Sequence, residues 1–339
     1  MNTTNLYNTM NLYNASCHGQ YDKCLELLSS NYGVDVNDRV YSGKTSLYAA
    51  SENGHLDIVK LLIEHGVDLD KATYGTKVSP LFIASEKRRT EIVQVLLENG
   101  AMVDNLRDDW SSPLHIASEK GHAQIVEMLL RFGAKPNYGR FTDGVAPLFM
   151  ASEMGHTEII SMLIRAGAIA DMIRPGDGAS PLLMASQNGH DDAVKELIRH
   201  SATVDIIKHG NKITPLYIAS ELGHVKVVNT LIEHGANVNA MNVINKTTAM
   251  FVAAQRGHYT VVETLLKHGA IADYKDFGIQ SPLSIALAYK KHDIVDLLQY
   301  HVKPTAKQSL CMVMAMLQEL EVYHLQEFSN IITMFEMMQ

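Results

Sequence analysis

The chain has 339 residues and a formal net charge of −8, with 29 basic against 37 acidic side chains, so it lacks the basic excess with which a general nucleic-acid or anionic-membrane binder neutralises phosphates. No stretch approaches the roughly 18 consecutive apolar residues of a membrane span, and the opening MNTTNLYNTM has no basic or apolar leader character, which points to the cytosol or nucleus. Cys17, Cys24 and Cys311 are odd in number and scattered, as in a reducing compartment, and without a leader the glycosylation triplets at Asn2, Asn14 and Asn245 are read as silent.

Residues 1–10 read as a loose polar segment. From Leu12 to Ser29 two short helices are expected around His18-Gly19; this stretch has no Pro-Leu turn and, with a neighbour on one side only, reads as an N-terminal cap. Beyond it one signal recurs, at Thr45-Ser46-Leu47, Ser79-Pro80-Leu81, Ser112-Pro113-Leu114, Ala146-Pro147-Leu148, Ser180-Pro181-Leu182, Thr214-Pro215-Leu216, Thr248-Ala249-Met250 and Ser281-Pro282-Leu283, spaced 34, 33, 34, 34, 34, 34 and 33 residues. A Gly-His pair keeps the same beat at Gly54, Gly121, Gly155, Gly189, Gly223 and Gly257.

The stretch Ile213–Ala240 shows what one period encodes. Thr214 caps a helix with Pro215 at its first position, where a missing N–H is tolerated. Gly223 takes the left-handed conformation that ends it, and a second helix carries Val227, Val228, Leu231 and Ile232 on one face until Gly235. Two short helices with one apolar stripe each cannot close a core alone, so the unit must stack on its copies. Where the spacing is 34, the extra residue falls between the closing Gly and the next Pro-Leu turn and is expected to lengthen the connecting finger without disturbing the helices.

These T-P-L, A-S, G-H and G-A-x-V-N signals together resemble the ankyrin repeat family over about residues 11–303. The resemblance implies an all-α solenoid of stacked helix-turn-helix units with β-hairpin loops, about nine helix pairs counting both caps, and a concave surface used to bind other proteins. A C-terminal helical segment over 304–339 is expected to follow. Pro304 ends the array, Thr305-Ala306-Lys307-Gln308 is a capping box, and Leu310, Val313, Leu317, Leu320, His324, Phe328, Ile331, Phe335 and Met338 keep helical spacing. That helix either covers the flank of the last repeat or offers a second partner contact.

Departures from the pattern carry the functional information. Ser42-Gly43-Lys44-Thr45 resembles the end of a phosphate loop, but the position of that loop's first glycine is Asp38, so nucleotide binding is not expected. Lys87-Arg88-Arg89 replaces Gly-His in the third unit, where Arg at a left-handed position costs about 1 kcal/mol relative to Gly. This is either a drifted turn or a basic contact for an acidic partner; Lys290-Lys291 repeats it in the last unit. The sixteen histidines are not read as metal ligands. Equivalent positions in stacked units lie about 10 Å apart, against about 2 Å from each nitrogen to a zinc ion. The family's T-P-L-H histidine survives only at His115, and packing is expected to replace its hydrogen bond elsewhere.

No catalytic motif, cofactor site or metal site is assigned. What remains is surface. Glu52, Glu86, Glu119, Glu153, Gln187, Glu221 and Gln255 follow each A-S pair, forming an expected acidic strip suited to a basic segment of a protein partner. The residues beside them vary: Asn53, Lys87, Lys120, Met154, Asn188, Leu222 and Arg256. Finger tips carry Tyr41, Tyr74, Trp110, Phe141, Arg174, His209, Ile244 and Phe277. Trp110, which stands where the pattern has Gly, is either a binding anchor or packed on a neighbouring finger. The candidate contacts are therefore Tyr74, Glu86, Lys87, Trp110, Glu119, Lys120, Phe141, Glu153, Met154, Arg174, Glu221, Leu222 and Arg256. Asn239 matches the asparagine that hydroxylases modify in ankyrin repeats, although a hairpin hydrogen bond is favoured for it. A non-catalytic protein-interaction module is expected. An adaptor subunit of a larger complex, such as a ubiquitin ligase, is the alternative, and an enzyme with a hidden site the remote one.

Overall fold

The computed structural model describes residues 3–29, 34–40, 43–140, 142–207, 213–242, 244–272 and 281–301. The expected C-terminal helix and the finger residues Tyr41, Phe141, His209 and Phe277 lie outside them. Among the described residues eighteen helices form nine successive pairs. They are α1 (Thr3–Cys17) with α2 (Tyr21–Ser29), α3 (Ser46–Asn53) with α4 (Leu56–Glu64), α5 (Pro80–Glu86) with α6 (Thr90–Glu98), and α7 (Pro113–Lys120) with α8 (Ala123–Arg131). Then come α9 (Pro147–Met154) with α10 (Thr157–Arg165), α11 (Pro181–Gln187) with α12 (Asp191–Arg199), and α13 (Pro215–Leu222) with α14 (Val225–Glu233). The last pairs are α15 (Ala249–Arg256) with α16 (Tyr259–Lys267) and α17 (Pro282–Ala288) with α18 (His292–His301).

From α3 onward the first helices start for the same reason. A Ser or Thr in extended conformation accepts the amide three residues on, as from Phe82 to Ser79 at 3.1 Å and from Tyr217 to Thr214 at 3.2 Å. Ala146 breaks the series and offers no side-chain cap to α9. Each ends on a left-handed residue, glycine at Gly54, Gly121, Gly155, Gly189, Gly223 and Gly257, but Arg88 (φ 56°) and Lys290 (φ 56°) in the two exceptional units.

First helices pack on first helices and second on second along the whole stack. The first meet through fully buried Ala and Ser, such as Ala84, Ser85, Ala117 and Ser118, and the second through Ile92, Val93, Leu96 and their equivalents. Smaller side chains bring axes closer, so the row of first helices is the shorter, concave one. One continuous core runs from Leu12 to Leu298, and a second cluster of Val145, Phe149, Met150, Ala179, Leu183 and Met184 forms beneath the middle fingers.

Two ladders of hydrogen bonds stitch the units together. The Gly-His histidines reach back one unit to the end of the preceding first helix. His55 Nε2 donates to the Cys17 carbonyl (3.1 Å), His156 to Glu119 (3.1 Å), His190 to Glu153 (3.0 Å) and His258 to Glu221 (2.9 Å). The turn-closing Asn or Asp reaches forward instead, accepting the amide of Asp68 at Asn37 (2.7 Å), of Met102 at Asp70 (2.9 Å), of Ile169 at Asn137 (2.9 Å) and of Ile271 at Asn239 (2.9 Å). The hairpin hydrogen bond expected of Asn239 is present and runs to the next unit.

In the unit without Gly-His, Arg89 takes the histidine's place, its Nε donating to the Glu52 carbonyl at 3.2 Å. The second Arg of the run is therefore part of the stack, and Arg88 is exposed beside it. Arg89→Ala is expected to lower the free energy of unfolding by about 1 kcal/mol, and Arg89→His by clearly less, because His restores the same donor; urea titration of the two variants checks this.

The fingers are closed by one or two backbone bonds each, with isolated bridges at Arg39–Thr45 and Met241–Thr248. Where the spacing is 33, three residues span the tip, between Arg107 N and Ser111 O (2.9 Å). Where it is 34, four do, between Thr73 N and Val78 O (3.0 Å) or Arg174 N and Ala179 O (2.8 Å). The extra residue is at the tip, and the helices are undisturbed.

The N-terminal segment needs correction. Residues 1–10 were expected to be loose, yet α1 begins at Thr3. Asn8, Thr9, Leu12 and Ala15 are buried, and Thr9 Oγ1 donates to Asp38 at 2.9 Å. A helix contact with α3 outweighs the polar composition, because the polar groups it covers find partners.

Candidate protein-binding surface

The ends of the first helices form the inner edge of the stack, and its electrostatics differ from the expected acidic strip. Glu52 is bonded to Lys44 (3.1 Å), Glu86 pairs with Lys87 (3.9 Å), Glu119 with Lys120 (3.0 Å) and Glu221 with Arg256 (2.6 Å). Four carboxylates are thereby neutralised by their own chain, so their fields do not add. The pairing lifts the Lys120 ammonium and the Arg256 guanidinium further above their ordinary ranges, through the hydrogen bonds to Glu119 and Glu221 respectively. The polar residues between are also engaged: Asn53 donates to the Ala49 carbonyl (2.9 Å) and Asn188 to the Glu153 carbonyl (2.9 Å). Against this paired background Met154 and Leu222 stand 45% and 46% exposed.

Finger tips supply the second row of candidates. Arg174 is held within its finger: its guanidinium forks onto Asp177 (2.8 and 2.6 Å) and lies 4.9 Å from the Phe149 ring centre. Arg140 grips Asp143 in the same way (3.2 and 2.6 Å). These clamps brace the turns, and their i, i+3 Arg-Asp spacing was a signal in the sequence that went unread. Tyr74 is 61% exposed, with the Arg39 guanidinium 4.8 Å over its ring.

Trp110 is left-handed, φ 66°, at the register where other tips carry Gly43, Gly144 and Gly178, and where Lys77 (φ 51°) and Lys246 (φ 50°) are left-handed as well. The glycines are there for space: a Cβ on Gly43 would stand 2.4 Å from the Tyr74 nitrogen and one on Gly144 2.5 Å from Pro175. A bulky L-residue in this region is strained by about 1 kcal/mol or more, and the indole is 52% exposed.

His115 ties the two rows. It is 3% exposed; its Nδ1 accepts the Ser112 amide (3.1 Å), and its Nε2 donates to the Val145 carbonyl of the next finger (3.0 Å). Burial pushes its pKa down to about 4. Tyr217, at the same register, reaches the next finger with its hydroxyl, 3.0 Å from Thr247 Oγ1. The lost histidine bond is thus replaced there by another hydrogen bond, where packing alone was expected.

Among the described residues no group of three or more His, Cys, Asp or Glu could hold a metal ion, and no helix is long and apolar enough to cross a membrane. Paired helices, projecting fingers and ladders between units define a repeat solenoid of the helix-turn-helix kind. The chain belongs to the ankyrin repeat family: the model for ankyrin repeats (3 copies) matches residues 12–107, 102–174, 167–242 and 239–308. The crystal structure of the human ASB11 ankyrin repeat domain superimposes with a TM-score of 0.61 at 30% identity, covering 68% of this chain and 100% of that one. The E3 ubiquitin-protein ligase mind-bomb of Drosophila melanogaster is 44% identical over 43 residues, 12% of this chain. Alpha-latrocrustotoxin-Lt1a of Latrodectus tredecimguttatus is 41% identical over 59 residues, 17% of this chain. Each match covers 4% of the curated relative's length.

Proposed function

We propose that this chain is a non-catalytic protein-interaction module that holds one protein partner across several repeats, with the first-helix ends and finger tips as contacts and the second helices as support. The observation that carries this is the contrast on the inner edge, where exposed Met154 and Leu222 alternate with polar residues whose hydrogen bonds are already made. Free apolar side chains on a surface otherwise satisfied by its own pairs are where burial by a partner adds most. A cytosolic or nuclear location is part of this reading, supported by Cys17 and Cys24 standing as free thiols, as in a reducing compartment. The adaptor reading is supported by the 43-residue likeness to mind-bomb alone.

The test is site-directed photo-crosslinking from position 154 or 222, compared with positions on the outer helices, in cells expressing the full chain. A partner crosslinked from the inner positions and not from the outer ones supports the reading, and the reverse pattern ends it. Trp110→Gly, made alongside, is expected to weaken capture of that partner while raising stability by about 1 kcal/mol, because glycine relieves the left-handed strain. A stability loss with unchanged capture would instead make Trp110 a packing residue.

A further inference from the structure

The charges along the inner edge single out one carboxylate. Glu52, Glu86, Glu119 and Glu221 each have a cation of their own chain in ion-pair contact. Among the described residues the Glu153 carboxylate has none; the nearby Arg174 acts on it only at a distance, since its guanidinium forks onto Asp177. Glu153 also holds its place firmly, because its carbonyl accepts from both Asn188 (2.9 Å) and His190 (3.0 Å). The next residue along α9 is Met154, exposed like Leu222 at the end of α13; Tyr289 at the same register after α17 is exposed too, but its hydroxyl already accepts from Gln255 (3.2 Å).

We infer that the inner edge recognises an extended protein segment that sets an Arg or Lys against Glu153 and apolar side chains against Met154 and Leu222. This rests on the concave-edge reading above and adds the partner's chemistry to it. Charge selects the cation: an acidic segment would meet Glu153 uncompensated, whereas a basic one completes the only concave glutamate left unpaired among the described residues. Distance selects the spacing. Helices α9 and α13 are two packing steps apart, about 20 Å, and an extended chain rises about 3.3 Å per residue, so the two apolar residues stand six positions apart. The basic residue, facing the neighbour of Met154, stands two positions from the nearer of them. Both separations are even, and all three side chains share one face of the strand.

The test is selection from a randomised nine-residue synthetic peptide library by the full chain, followed by fluorescence polarisation of the selected peptide on the wild type, Glu153→Gln, Glu153→Lys and Leu222→Ser. The wild type is expected to select Arg or Lys two positions from an apolar residue, with a second apolar residue six positions beyond. Glu153→Gln should weaken that peptide at least tenfold, and Glu153→Lys should select an acidic residue in place of the basic one. Leu222→Ser should abolish the preference at the distal apolar position alone. Selection without a basic preference, no selection by the wild type, or Glu153→Gln affinity within twofold overturns the proposal. In those cases inner-edge crosslinks would still uphold the interaction module, so the two readings fail separately. Glu153 is half-buried at a helix end, and matched melting curves for the Gln variant exclude misfolding.

Discussion

Leu163→Ala is expected to lower stability by about 3–4 kcal/mol and to split the unfolding of the chain in two. Leu163 is fully buried on α10, in the continuous core. Deleting three carbon atoms there removes their burial and leaves a cavity that neighbours fill only in part. In a linear stack each unit touches only its neighbours, so the damage falls on the interfaces of α10 with α8 and α12. The N-terminal block can then outlast the middle. Trp110 is the chain's only tryptophan and lies in the finger before α7, so its fluorescence reports the N-terminal block while far-UV circular dichroism reports every helix. In the wild type the two urea transitions should coincide; in the variant the circular dichroism midpoint should fall further than the fluorescence midpoint. A coincident shift of less than about 1 kcal/mol would mean that the core tolerates the cavity.

Acid should weaken the protein through His115. The folded imidazole, buried between Ser112 and the next finger, has its pKa pushed down to about 4, against the ordinary 6.5. The unfolded chain therefore binds the proton more tightly, and stability rises with pH between those values. The contribution is fully present above pH 6.5 and is lost progressively as pH falls towards 4. Its ceiling is about 3 kcal/mol, since each tenfold change in proton affinity is worth about 1.4 kcal/mol. His122, whose pKa burial also lowers, acts in the same direction. The comparison is His115→Phe, the residue this register carries at Phe82, Phe149 and Phe251. At pH 7.5 the variant should be less stable by about 1–2 kcal/mol, the worth of the two lost hydrogen bonds. At pH 4.5 it should match or exceed the wild type. Urea midpoints across this range measure the crossing, and parallel curves would show that His115 does not titrate in the window.

The period, the caps and the core were legible in the chain because they are local. Ser or Thr before Pro-Leu, a glycine nine residues on and apolar residues at helical spacing act within one unit, and the same few residues repeat often enough to be recognised. Contacts between units were not legible in the same way. That the Gly-His imidazole bonds the preceding helix, that Asn239 accepts from Ile271, and that Arg89 substitutes for histidine all depend on which groups stand 30 or more residues apart in sequence yet 3 Å apart in space.

The candidate surface divides along the same line. Sequence variation beside each Glu marked the inner edge, and Trp110 was conspicuous as the residue in glycine's place. Which charges are spent could not be read there, because Arg256 pairs with Glu221 across a repeat boundary while Arg174 turns inward to Asp177. By itself the sequence determined a linear stack of like units with the fingers on one side, since helix stripes that narrow have no other way to be buried. Only the tertiary structure decided which side chains on that stack are left with unspent chemistry, because pairing across repeats depends on distance in space, and the order of residues does not contain it.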